Sequence, residues 1–109
     1  LTAEEMAWRG EAILAYQETQ IDALVRNARE VEIAGYKVLA VNSPTLQSEI
    51  GERLAKDRPF GAVWFEDANG ARLWSLRSRP PTGIDVSAVA KSLGGGGHAA
   101  AAGFKIGGK

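Results

Sequence analysis

Four consecutive glycines, a histidine, four alanines and a further glycine fill residues 94–103 as GGGGHAAAAG. Each glycine inside a helix costs about 1 kcal/mol relative to alanine, so a helix reaching this run must stop at it. Without Cβ atoms the backbone reaches positive φ, and a ligand can approach its amides closely. Successive N–H groups at Gly95, Gly96 and Gly97 then suit a concave nest for an anion. The alanines predict one helical turn over residues 99–102, whose free amides and dipole would face the same point. His98 falls between nest and turn, where an imidazole N–H could donate to a phosphate oxygen. Two plainer readings stand beside this one: Gly94 as a helix cap, and the remaining glycines as a flexible linker. No Gly-Lys-Ser/Thr follows the run, which excludes a P-loop. Gly107-Gly108-Lys109 reads as a frayed end.

The chain before this run alternates helical and strand patterns. Thr2 with Glu5 makes a capping box, and Ile13, Leu14, Ile21, Leu24, Val25 and Ala28 form one apolar stripe of a long first helix that Gly10 weakens. Residues 31–33 and 36–41 predict two strands about Ala34-Gly35. A helix should open at Ser43-Pro44 and turn Leu46, Ile50 and Leu54 inward. Residues 61–67 and 71–78 read as strands joined by a turn at Asn69-Gly70. On the second of these, Leu73, Ser75 and Arg77 share one face, and Arg72, Trp74, Leu76 and Ser78 share the other. After a stiff Arg79-Pro80-Pro81 connector, Asp85 caps a helix with Val86, Val89, Ala90 and Leu93 on one side. Residues 104–106 close the chain as a short strand. The fold class is therefore α/β, a single small domain with a mixed sheet of about five strands and helices packed on it.

Composition narrows the chemistry. At 109 residues the chain suits one domain, and without cysteine it has no disulfide or thiolate metal site, which makes a cytoplasmic setting the default. A single histidine argues against a self-contained metal centre. Thirteen basic and thirteen acidic residues give zero formal charge, so there is no broad electrostatic grip on duplex nucleic acid and anion binding must be local. No stretch approaches the ~18 apolar residues of a membrane span. The chain opens on Leu1 rather than Met, as a fragment or processed product would.

Together, GGGGHAAAAG with Phe104 after it, Ser75-Leu76-Arg77-Ser78, residues 85–90 (DVSAVA) and Ser48-Glu49-Ile50-Gly51 resemble the DHHA1 domain and its GGGH-x-x-AAG-F signature. DHHA1 is the C-terminal substrate-binding partner of the DHH domain in DHH phosphoesterases, which include RecJ-like exonucleases, nanoRNase-type oligoribonucleases and cyclic-dinucleotide phosphodiesterases. The resemblance implies that residues 31–109 are the DHHA1 domain and that residues 1–30 form a helix leading to a missing N-terminal DHH domain. It implies manganese in that missing part and no cofactor here. It also implies an inactive fragment of a phosphohydrolase whose substrate is a short RNA, short DNA, cyclic dinucleotide or phosphoadenosine phosphate. Carried over by position, Gly95, Gly96, Gly97 and His98 would contact a substrate phosphate and Arg77 would be a second contact, with Ser75, Arg79 and Ser48 as further candidates.

Each of these residues also has a structural reading. Arg77 and Arg79 suit a solvated strand end, Ser75 a strand-end hydroxyl, and Glu49 an exposed helix position. Trp64 and Trp74 suit cross-strand packing better than base stacking, and Trp8 suits a domain boundary. Two other functions fit the same chain. One is the DHHA1-containing C-terminal domain of alanyl-tRNA synthetases, binding tRNA or mediating dimerisation. The other is a homodimerisation module built on the first helix.

Overall fold

The computed structural model describes residues 3–108, and for residues 3–10 the backbone alone. The Thr2–Glu5 capping box and the packing of Trp8 lie outside the described residues. In chain order the elements are α1 (Ala3–Val25), β1 (Arg29–Ile33), β2 (Tyr36–Asn42), α2 (Gln47–Leu54), β3 (Gly61–Glu66), β4 (Arg72–Arg77), α3 (Val86–Ser92), β5 (Gly96–His98) and β6 (Ala101–Ile106). The strands form one mixed sheet in the order β1-β2-β3-β4-β6-β5. Among the described strands only the β2–β3 pair is parallel, because of the neighbouring pairs it alone is joined by a helical crossover, α2. The other neighbours run antiparallel.

Alternation along β3 and β4 sorts the core into two clusters. Val41 and Val63 point to one face, where α2 covers them with Ile50 and Leu54 and the end of α1 adds Ile21. Ala62, Leu76 and Phe104 point to the other, where α3 brings Val86, Val89 and Ala90. The sheet coils strongly enough that Ile33 of edge strand β1 joins the cluster holding Phe104 of β6. Close contact under α2 depends on missing side chains: a Cβ on Gly61 would collide with the Gly51 carbonyl, and one on Gly51 would lie 2.8 Å from Arg77 Cγ.

Three expectations are corrected. The sheet has six strands rather than about five. The alanines do not form a helical turn: Ala101 and Ala102 belong to β6, and Ala99-Ala100 is the two-residue turn of a β5–β6 hairpin. Helix propensity yields here to pairing, since β6 runs the full length of β4 from Arg77↔Ala101 to Arg72↔Ile106 and would otherwise leave the edge of β4 away from β3 unpaired. α2 begins at Gln47, not at Ser43-Pro44. Ser43 extends the strand pairing through its N–H to the Trp64 carbonyl, its hydroxyl bonds the Thr45 carbonyl at 2.8 Å, and Leu46 turns left-handed before the helix starts.

The apolar stripe of α1 is only partly used. Ile21 is buried with Leu24, Val25 and Ala28 beside it, and Arg53 of α2 reaches back to Glu18 and Asp22 at 2.7 Å each. These carboxylates, Glu18 first, hold the Arg53 guanidinium in its charged form more firmly than usual. Ile13 and Leu14, by contrast, are exposed.

Candidate functional site

The glycine run is best understood one residue at a time. Gly94 (φ 88°) ends α3 in a left-handed cap. The Gly95 N–H donates to the Ala90 carbonyl at 2.8 Å and the Gly94 N–H to the Lys91 carbonyl at 3.1 Å, the paired bonds of a Schellman motif. The Gly95 amide is therefore committed to the helix end, and a nest built on Gly95, Gly96 and Gly97 does not form. A Cβ at Gly95 would also strike the Gly103 carbonyl, and one at Gly97 would lie 2.5 Å from Ala102 Cα. Gly96 differs: its φ is ordinary and an added Cβ would meet nothing within 4 Å. β5 is the sheet's edge, so alternate amides along it face outward.

The hairpin that carries His98 is tied down at its turn. The Ala99 carbonyl accepts from the Val86 N–H at 3.0 Å and from the Ser78 hydroxyl at 3.2 Å, and the Ala100 carbonyl accepts from the Ser78 N–H at 3.1 Å. Val86 is the first residue of α3, whose cap Asp85 accepts the Ser87 N–H at 2.9 Å. Hydrogen bonds from the Ser87 hydroxyl and then its amide hold the Asp85 carboxyl below the ordinary aspartate value.

Register sets the rest. Arg77 pairs with Ala101, and Ala101 pairs with His98, so the arginine and histidine stand on one sheet face with a single alanine between them. Two strand spacings separate their backbones by about 10 Å. His98 is exposed, and its side chain makes no hydrogen bond among the described residues. Arg77 is half-buried and donates from Nη2 to the Ser48 hydroxyl at 2.6 Å, and it makes no ion pair among the described residues. Ser75, on the same face, donates to Gln47 Oε1 at 3.1 Å. Ser48 and Gln47 open α2, whose first turn has no side-chain cap. The helix start therefore brings positive dipole and free amides beside Arg77.

From Ser75 an open groove of about 510 Å³ continues over Phe65, Leu73, Gly95 and Gly103 to Lys105. Of the residues singled out from sequence, Ser75 lines this groove; Arg77, bonded to Ser48, lies next to it on β4, and Gly96 and His98 stand across Gly103 and Ala101 of β6. Arg79 does not join them. It is exposed and turned to the Glu52 carbonyl at 3.5 Å, near the end of α2. Sequence reasoning missed Gln47, which stands next to Ser48 in the helix's first turn. Among the described residues no three His, Asp or Glu side chains converge as a metal site requires, so this set of donors does not fit a manganese ion. No described helix is long and apolar enough to cross a membrane.

Fold and site together define a small α/β domain with a shallow groove on one sheet face. The chain is 32% identical over 100 residues to the oligoribonuclease NrnB of Bacillus subtilis, an alignment covering 88% of this chain and 25% of that enzyme. It is 40% identical over 75 residues to an uncharacterized protein of Acanthamoeba polyphaga mimivirus, covering 65% of this chain and 18% of that protein. The chain thus spans a quarter or less of the length of these curated relatives. No protein-family model matches it.

Proposed function

We propose that this chain is the DHHA1-type, substrate-holding part of a DHH phosphoesterase that acts on short oligonucleotides. One observation carries the proposal: the Arg77–Ala101–His98 row sets two cationic or donor side chains on one face across a floor of small residues. In this reading a substrate phosphate lies above Ala101. Arg77 supplies a charge-assisted fork from one side and His98 an imidazole donor from the other, with Ser48 and the start of α2 adding donors. Gly96 leaves the floor open to the ligand, and the groove past Ser75 takes the adjoining nucleoside over Phe65 and Leu73. The similarity to an oligoribonuclease supports a short oligonucleotide as substrate. Metal chemistry would come from a DHH domain elsewhere in a longer protein, where manganese would activate the attacking water.

The test is a titration of the chain with the dinucleotide pApA, read by calorimetry and by amide NMR. Arg77→Ala and His98→Ala should each weaken binding by about tenfold, the loss expected for one charge-assisted hydrogen bond. The Gly96, Gly97 and His98 amides should shift on saturation. Unmoved amides, or full affinity in both variants, would sink the proposal. The chain alone should bind without hydrolysing, and turnover with added manganese would contradict the division of labour.

A further inference from the structure

The opposite face of the sheet carries a second opening that the phosphate groove does not use. Where β2 and β3 end, a cleft of about 440 Å³ lies between the start of β1 and the paired indoles of Trp64 and Trp74, with Asn27, Arg29, Asn42 and Arg72 as its polar lining. This volume falls within the range of small-ligand sites. The lining contains two guanidinium groups and two carboxamides but no carboxylate, in a chain whose acids and bases are equal in number. Neither Arg29 nor Arg72 makes an ion pair among the described residues.

Arg72 is the informative residue. Glu66 stands directly opposite it in the β3–β4 register, yet the guanidinium lies over the Trp64 ring, 4.3 Å from its centroid. The guanidinium covers this indole face, so a planar guest that takes its place uses the same stacking surface and releases Arg72 toward a phosphate. The indole is also rigidly backed. Trp64 packs on Trp74 at 5.9 Å, and Trp74 stacks on Phe104 at 5.9 Å with an 8° interplanar angle. A fixed aromatic wall flanked by unpaired arginines is the combination that binds single-stranded nucleic acid: bases stack and phosphates meet cations.

We propose that this cleft is a second nucleotide subsite, taking one base of a single strand against Trp64 and its flanking phosphates at Arg29 and Arg72. The Asn42 Nδ2 donates to the Trp64 carbonyl at 3.1 Å, which leaves its Oδ1 free to accept from a base edge. Asn42 and Gln47 lie five residues apart on the chain and mark the two faces at the same end of the sheet. A strand longer than a dinucleotide can therefore engage both faces. The proposal goes beyond the function argued above and does not require the phosphate groove to be occupied.

Two probes separate the sites: fluorescein-labelled hexa-adenylate RNA, read by anisotropy, and unlabelled pApA, read by calorimetry. The Arg29→Ala/Arg72→Ala double variant should weaken hexa-adenylate binding about tenfold, the scale of one lost stacking and phosphate contact. Its salt dependence should flatten by about 1.4, the equivalent of two single-strand phosphates. Its pApA affinity should stay within about twofold. Arg77→Ala should weaken both probes. Arg72→Lys keeps the charge that meets the phosphate and uncovers the indole face, and should hold hexa-adenylate affinity within about twofold. Both arginines are exposed, so thermal melts of the variants should match the parent. A folded double variant that binds hexa-adenylate at full strength overturns the proposal, as does an equal loss for both probes. Hexa-adenylate binding that depends on Arg29 and Arg72 in a chain that ignores pApA would support this subsite and refute the phosphate groove.

Discussion

The two faces of the sheet are built from the same strands and differ in kind. Along β4, Trp74 and Leu76 point into an aromatic and aliphatic core under α3, and Leu76 is fully buried. Their neighbours Ser75 and Arg77 point to the α2 side, where both are half-exposed and each finds one polar partner, Gln47 and Ser48. One face takes its stability from apolar area removed from water. The other has its own core where α2 covers Val41 and Val63, but over β5 and β6 it keeps Gly96, Ala101 and Gly103 where a packed sheet would place valine or leucine, and so leaves a groove. A single residue step along a strand separates the two roles, because side chains alternate with period two.

Substitutions can sharpen this contrast, beginning with the core. Leu76→Ala, on the filled face, should cost about 2–5 kcal/mol, because the cavity it leaves is walled by Ala62, Val86 and Phe104. Urea denaturation measures this directly. A loss under ~1 kcal/mol would mean that the α3 face is much looser than its burial indicates.

The glycine run offers a finer comparison. Gly95→Ala drives a methyl into the Gly103 carbonyl and should destabilise the chain by about 1–3 kcal/mol. Gly96→Ala meets open space and should change stability by less than ~0.5 kcal/mol while weakening pApA. Equal effects on stability from the two substitutions would remove the distinction between a structural and a ligand-facing glycine.

The smallest expected effect lies at the α3 cap. Because the folded-state value of Asp85 is lowered, its contribution is present above the unfolded aspartate range near ~3.9. It fades as pH falls through the folded value. Asp85→Asn should therefore lower the melting temperature slightly at neutral pH and flatten its decline in acid. Hydrogen exchange at the Val86 amide, which bonds the Ala99 carbonyl of the His98 hairpin, should speed up in the variant. Unchanged exchange would show that the cap and the hairpin are independent.

Much of the architecture was legible in the residues themselves. The alternation of Arg72, Trp74 and Leu76 against Leu73, Ser75 and Arg77, the cap at Asp85 and the stop at Gly94 are all local patterns, and local backbone preference is enough to produce them. The cross-strand packing of Trp64 with Trp74 followed from two strands joined by an Asn-Gly turn. The start of α2 was misplaced because Pro44 suits a first helical turn, whereas Ser43 is held back by its bond to the Trp64 carbonyl, a partner 21 positions away. The upper stripe of α1 reads as buried because periodicity records which side is apolar and not whether anything covers it.

The glycine run divides along the same line. By itself the sequence determined that a helix ends at Gly94 and that the backbone after it stays open to close approach, since both follow from the missing Cβ. Only the tertiary structure decided that the alanines become a strand and that His98 comes level with Arg77 two strands away. Those outcomes depend on the pairing of β6 with β4, a strand two dozen or more positions earlier in the chain. No local propensity encodes such pairing, and in this chain it outweighed the helical preference of four consecutive alanines.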